Sequence, residues 1–219
     1  MSLNLQKARS LMVENQLRPN NIKEKNILKL FNEIAKEKFI PDEFISQCYS
    51  DMNLDITASR GYLKNLHLAQ IITKSKIIHN DKVLHVGGLT GYLSIMISKL
   101  CDKLYVIEKD NSNYVKLIDN IKNYNLNNVF VINLDFINGY NQKSPYDLII
   151  IDCPIYRLNN IFINQLNNNG GRLIYIQKIN NELSKAYKII KNDENLSKEY
   201  LFDVFTYYSL DEKSNEFKF

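Results

Sequence analysis

Six residues raise the first chemical question. Gly87, Gly88 and Gly91 fall in the turn of "KVLHVGGLTGYLSIMIS", between an apolar run and a segment of helical spacing. Glu108, Asp135 and Asp152 fall at or just beyond the ends of the next three apolar runs, "KLYVIEKD", "VFVINLDF" and "DLIIID". Glycine lets a backbone come close to a ligand, and a helix start beyond it favours anionic groups. The spacing is selective. A dinucleotide fingerprint needs G-x-G-x-x-G and a phosphate loop ends in Gly-Lys-Ser/Thr, and "GGLTGY" supplies neither, which argues against hydride transfer and nucleotide hydrolysis. Glu108 lies about 20 residues past the turn, where a carboxylate accepts hydrogen bonds from both ribose hydroxyls. Each acid alone reads equally well as a helix cap or a solvated charge. Joined to the glycine turn, the three point to a ligand containing a nucleoside.

These residues can meet only if their runs lie side by side. After Asn80, short runs rich in Val, Ile and Leu alternate with segments of helical spacing: "KVLHV" precedes Leu93, Met96, Ile97 and Leu100, and "KLYVI" precedes Tyr114, Leu117, Ile118 and Ile121. "VFVI", "DLIII", a helix near Leu158 to Leu166 and "RLIYI" continue the alternation. Strands that are apolar throughout and alternate with helices imply a doubly wound α/β domain whose parallel sheet is covered on both faces. Ligands of such sheets sit at the carboxyl ends of the strands, which is where the glycine turn lies. "SKAYKIIK" fits a helix or a strand; the reading adopted is an antiparallel C-terminal hairpin, turning at Asn192 to Asn195 and returning through "KEYLFDVFTYY". "NEFKF" is a candidate edge strand. Upstream, Leu3 to about Ile56 reads as helical, with Asn20 and Asn21 placed to cap the run of Ile27, Leu30, Phe31 and Ile34. Pro41 and Asp42 open a short helix, and another spans roughly Leu66 to Ile78.

Bulk properties narrow the partners. The chain of 219 residues supports one main domain, and its formal charge of +4 gives no nucleic-acid signal. No apolar run is long enough to cross a bilayer, and the start has no apolar leader core, so a cytoplasmic protein is expected. Cys48, Cys101 and Cys153 are scattered and form no C-x-x-C pair, which suggests buried thiols, with no disulfide framework and no metal site.

The chain resembles the protein-L-isoaspartate O-methyltransferase family of class I S-adenosylmethionine-dependent methyltransferases. "MVENQLRP" and "ILKLFNEIAKEKFIPDEF" resemble the family's opening, where a helix leads to V-P-R-E-x-F-V-P. "VLHVGGLTGY" is similar to V-L-D/E-I-G-x-G-S/T-G-Y, and "GGRLIYI" to G-G-R-L-V-x-P-V. The resemblance implies a Rossmann-like, mostly parallel seven-stranded sheet over residues 80–219, with residues 1–79 packed on it as a helical segment and substrate loop. It implies S-adenosylmethionine as cofactor, isoaspartyl sites in proteins or peptides as methyl acceptors, and a monomer. By position, Gly87, Thr90 and Gly91, with Gly88 one place early, face the methionine and ribose portions of the cofactor. Glu108 holds the ribose hydroxyls, and Asp135 accepts from the adenine amino group.

Two loops depart from the family pattern. In the cofactor loop His85 replaces the acid before the first glycine and Leu89 replaces the middle glycine. In the substrate loop the family's L-P-I-G-x-G-Q-T-I-S-x-P-x-x-V-A falls on "LDITASRGYLKNLHLA", Leu54 to Ala69. Its Gln is here Arg60, its Thr Gly61, its Ser Leu63 and its Pro Asn65. The hydroxyl that positions the substrate carboxylate is therefore missing, and Arg60, Thr57 and Ser59 are the candidates to replace it, Arg60 first because a guanidinium grips a carboxylate bidentately. Two alternatives remain beside the isoaspartyl enzyme: a binding module that has lost turnover, and a methyltransferase with another acceptor.

Overall fold

The computed structural model describes residues 4–57 and 59–211. Its centre is a seven-stranded sheet made from the Val-, Ile- and Leu-rich runs: β3 (Lys82–Val86), β4 (Lys103–Ile107), β5 (Val129–Ile132), β6 (Leu148–Ile155), β7 (Asn169–Lys178), β8 (Leu183–Asn192) and β9 (Asn195–Phe205). The strand order is β5-β4-β3-β6-β7-β8-β9. Strands β3 to β7 pair in parallel, and β8 and β9 join them antiparallel. The parallel strands need crossovers, supplied by α4 (Tyr92–Ser98), α5 (Asn111–Asn123) and α6 (Asn160–Asn164).

Burial on both faces explains the unbroken apolar runs. Along β6, Leu148 and Ile150 join one core cluster while Ile149 and Ile151 join a second on the opposite face. The first cluster also takes in the N-terminal helices α1 (Leu5–Met12), α2 (Lys25–Glu33) and α3 (Asn65–Ser75) through Met12, Phe31 and Ile72. Helix α4 is buried at every position, consistent with its all-apolar or small-polar sequence "YLSIMIS".

"SKAYKIIK" lies within β8, and the chain reverses at Asn192–Asn195 with Asp193 in the left-handed region (φ 50°). "NEFKF" lies outside the described residues. Three local expectations need correction. Helix α2 begins at Lys25 behind Glu24, while Asn20 and Asn21 lie in a turn that ends with Asn21 in the left-handed region (φ 63°); Ile22 then enters the core in non-helical backbone before the helix starts. Asp152 lies inside β6, whose pairing with β7 slips register between Ile151 and Pro154, where proline has no N–H for the ladder. The stretch before Ile56 is not helical to its end, because Leu54–Asp55 (β1) pairs with Gly61–Tyr62 (β2) as a small antiparallel hairpin.

Candidate active site

A cleft of about 1850 Å³ opens at the carboxyl ends of the parallel strands. The β1–β2 hairpin closes one side with Thr57, Ser59, Arg60 and Tyr62. The turn after β3 contributes Leu89 and Thr90, and the segment after β5 contributes Asp135 and Phe136.

The three glycines divide by task. A side chain at Gly88 would lie 2.4 Å from Val106 Cγ1, and one at Gly91 would lie 2.5 Å from Leu117 Cδ1. Both positions face the packing of β4 and α5, so they are glycine for clearance. Gly91 shares with Gly87 a left-handed φ, 102° and 84° respectively, but Gly87 is not crowded: its nearest neighbours are Arg60 Nη2 and Leu210 Cδ1, each at 3.8 Å, so it is glycine for its backbone alone. Leu89, in the place of the family's middle glycine, also has a positive φ of 50°. That conformation directs its N–H to Glu108 Oε2 at 2.7 Å.

Glu108 follows β4 directly and is fully buried. Its carboxylate accepts four hydrogen bonds. Oε1 receives Arg60 Nη1 at 3.1 Å and the Asp110 N–H at 2.9 Å; Oε2 receives Arg60 Nη2 at 2.7 Å and the Leu89 N–H. Those four fill the acceptor capacity of a carboxylate. The sequence placed Glu108 at the cofactor and Arg60 at the substrate, and the structure joins them. The guanidinium also lies over the Phe136 ring, 5.1 Å from its centroid. Burial alone would lower the Arg60 pKa, but the Glu108 carboxylate against it reverses the direction and the net shift is upward.

The other acids lie apart from this pair. Asp135 accepts from Lys109 Nζ at 2.7 Å, a hydrogen bond that holds its carboxyl below the usual range, and caps the short turn at Phe136–Asn138. Asp152 binds His85 Nε2 at 3.1 Å, and His85 Nδ1 meets Ser94 Oγ at 2.8 Å. His85 therefore replaces an acid by bridging one, beneath the glycine turn. The Thr90 hydroxyl points inward, donating to the Phe39 carbonyl at 2.5 Å and meeting the Tyr62 hydroxyl at 2.6 Å. Burial is the main cause that pushes the Tyr62 phenol up to about 12.

In the substrate loop the departures have physical causes. At Gly61 a side chain would lie 2.3 Å from the Tyr208 ring and 2.6 Å from the Leu54 carbonyl. Leu63 is 2% exposed and packs in the core; its carbonyl accepts from Lys36 Nζ at 2.9 Å, an amine that burial lowers to about 7. The family's serine position therefore lies inside the protein. Thr57 and Ser59 remain on the cleft wall, their hydroxyls 3.3 Å apart. Sequence reasoning missed the N–H groups of Leu89 and Asp110, the Phe136 ring and the Tyr62 hydroxyl. Of these, only Phe136, an aromatic residue beside Asp135, carries a signal readable from the chain.

A sheet of this order, five parallel strands continued by β8, which runs against them, and β9, which pairs antiparallel with β8, with a glycine turn after β3 and an acid after β4, defines a class I methyltransferase. A solved protein-L-isoaspartate O-methyltransferase superposes with a TM-score of 0.77 at 20% identity, covering 94% of this chain and 66% of its own, and so shares the fold. The family profile for protein-L-isoaspartate(D-aspartate) O-methyltransferase matches residues 7–213, and the chain belongs to that family. The protein-L-isoaspartate O-methyltransferase of Desulfosudis oleivorans is 27% identical over 169 residues, 76% of this chain and 75% of its own. That of Thermosipho melanesiensis is 29% identical over 157 residues, 68% and 77% respectively. Membership makes S-adenosylmethionine the methyl donor. Of the donor set for it, Asp135 lines the cleft after β5, while Glu108, after the adjacent β4, is buried beneath Arg60 with its acceptor positions filled.

Proposed function

We propose that the chain methylates the carboxylate of isoaspartyl residues in damaged cytoplasmic proteins or peptides, acting as a monomer. The observation that carries this reading is the strand-end cleft, whose wall carries the substrate-loop Arg60 paired bidentately with the buried Glu108 beneath it. Gly87, Gly88, Thr90 and Gly91 shape the turn against the cofactor, Glu108 takes the ribose hydroxyls and Asp135 the adenine amino group. When bound, the cofactor supplies an electrophilic methyl on a sulfonium. The chain's share is alignment. A carboxylate with a pKa of about 4 is ionised at neutral pH, so no residue need remove a proton. Arg60 orients it, with Thr57 and Ser59 beside it on the wall, and positioning of this kind accounts for several kcal/mol of barrier.

The test is incubation with an isoaspartyl peptide and labelled S-adenosylmethionine, with the matching aspartyl peptide as control. Base-labile methyl ester on the isoaspartyl peptide alone is the expected result; none on either rejects this acceptor. A second reading, a binding module without turnover, is favoured by the saturated Glu108 carboxylate. No binding of millimolar S-adenosylmethionine in calorimetry rejects the enzyme, which must bind its donor; binding together with ester formation rejects the module.

A further inference from the structure

The Arg60–Glu108 pair joins two parts of the cleft that the chemistry assigns to different ligands. Glu108 keeps one acceptor position on each oxygen for a backbone N–H, from Asp110 and Leu89, and gives the other position on each oxygen to Arg60. A vicinal ribose diol also presents two donors, one for each oxygen of a carboxylate. The two guanidinium N–H groups and the two ribose O–H groups therefore ask for the same two positions.

The arginine is held for exchange. It is carried by a hairpin of two-residue strands, β1 and β2, whose turn is closed by Ile56 and Thr57 N–H groups donating to the Arg60 carbonyl at 3.0 and 2.8 Å. Its Nε is buried and has no hydrogen-bond partner among the described residues, so the fork on Glu108 is the main polar tie of the side chain. Its other neighbour, the Phe136 ring, lines the cleft.

We propose that Arg60 is a latch on the cofactor seat: it fills the two Glu108 positions that a ribose diol takes, yields them when cofactor binds, and is thereby released to receive the acceptor's carboxylate. The consequence is an order of binding. The acceptor site is incomplete while the guanidinium is committed to Glu108, so the cofactor enters first. The last clause rests on the isoaspartyl reading; the latch itself needs only a nucleoside ligand.

Three measurements on the full chain test it. In calorimetry with S-adenosylhomocysteine, Arg60→Ala and Arg60→Gln are expected to bind about tenfold or more tightly than the wild type, because the competing donors are gone; equal or weaker binding by both overturns the latch. Hydrogen exchange on the unmutated protein gives an answer free of folding defects. S-adenosylhomocysteine should slow exchange around Gly87–Gly91 yet speed it across residues 54–62, whereas protection of both segments overturns release. Finally, Arg60→Ala should raise the KM for an isoaspartyl peptide while tightening the cofactor, two effects of opposite sign that a merely structural residue would not produce. If the first two results hold and no ester forms, the isoaspartyl reading falls and the latch stands. If ester forms and the first two fail, the latch alone is lost.

Discussion

The two walls of the cleft are built to different standards. The floor stands on β3 and β4, which pair in parallel along their whole length and are buried beyond their first residues, and its turn is fixed by Gly88 and Gly91 against Val106 and Leu117. The opposite wall is a hairpin of two residues per strand, anchored by Leu63 in the core and by Gly61 beneath the Tyr208 ring. A dense strand-end platform keeps its geometry whatever binds, while a short hairpin has few backbone bonds to break. The difference places the fixed chemistry on the sheet and the adjustable chemistry on the loop.

The largest expected effect comes from the residue on which both walls meet. Glu108→Ala removes the acceptor of a buried guanidinium, which should destabilise the fold by about 3–5 kcal/mol in urea titration and weaken cofactor binding at least about tenfold in calorimetry, where one pKd unit is about 1.4 kcal/mol. Unchanged stability would show that the pair does not join the walls. Leu63→Ser sharpens the contrast from the hairpin's anchored end. Although it restores the family's residue, it should raise no isoaspartyl activity and should cost about 2–5 kcal/mol, as large-to-small core changes do. A gain in methyl ester would mean that this position reaches the cleft.

Gly88→Ala tests the floor. With a neighbouring methyl 2.4 Å from the new Cβ, overpacking should cost about 1–3 kcal/mol in thermal or urea unfolding. A neutral result would show that the floor yields as the hairpin does. The smallest effect concerns the support behind the hairpin. His67 in α3 stacks on Phe202 with ring centroids 5.1 Å apart, and burial lowers its pKa from 6.5 to about 3. Between those values the unfolded chain binds the extra proton, so stability falls as pH drops from 6.5 towards 3, by about 1.4 kcal/mol per pH unit at most. Comparing His67→Phe with the wild type across that window should reveal the missing slope.

Much of the sheet is legible in the chain because its signal is local. "KVLHV", "KLYVI" and "RLIYI" are apolar on both faces, as only a doubly covered strand needs to be; "VFVI" reads the same but forms the half-exposed edge strand β5, and the hairpin turn at Asn192–Asn195 has turn residues at the right place. The β1–β2 hairpin is not legible, since two residues per strand leave no period to read. Nor is the Arg60–Glu108 pair, formed across 48 residues of chain by tertiary packing alone. The glycine turn was half legible: its type and position were readable, but the division of Gly87 from Gly88 and Gly91 depends on what lies opposite each Cα. Leu63 and Gly61 likewise look like lost functional groups until their neighbours, Lys36, Leu54 and Tyr208, are seen.

The hydroxyl contact between Tyr62 and Thr90 has an optical consequence. The chain contains fourteen tyrosines and no tryptophan, so its near-ultraviolet emission is dominated by phenol rings. Tyr62 sits on β2, with its hydroxyl on the Phe39 carbonyl at 2.8 Å and on Thr90 in the glycine turn. A phenol's emission depends on what its oxygen is bonded to, so movement of the hairpin away from the turn changes the light the protein gives off without any added label.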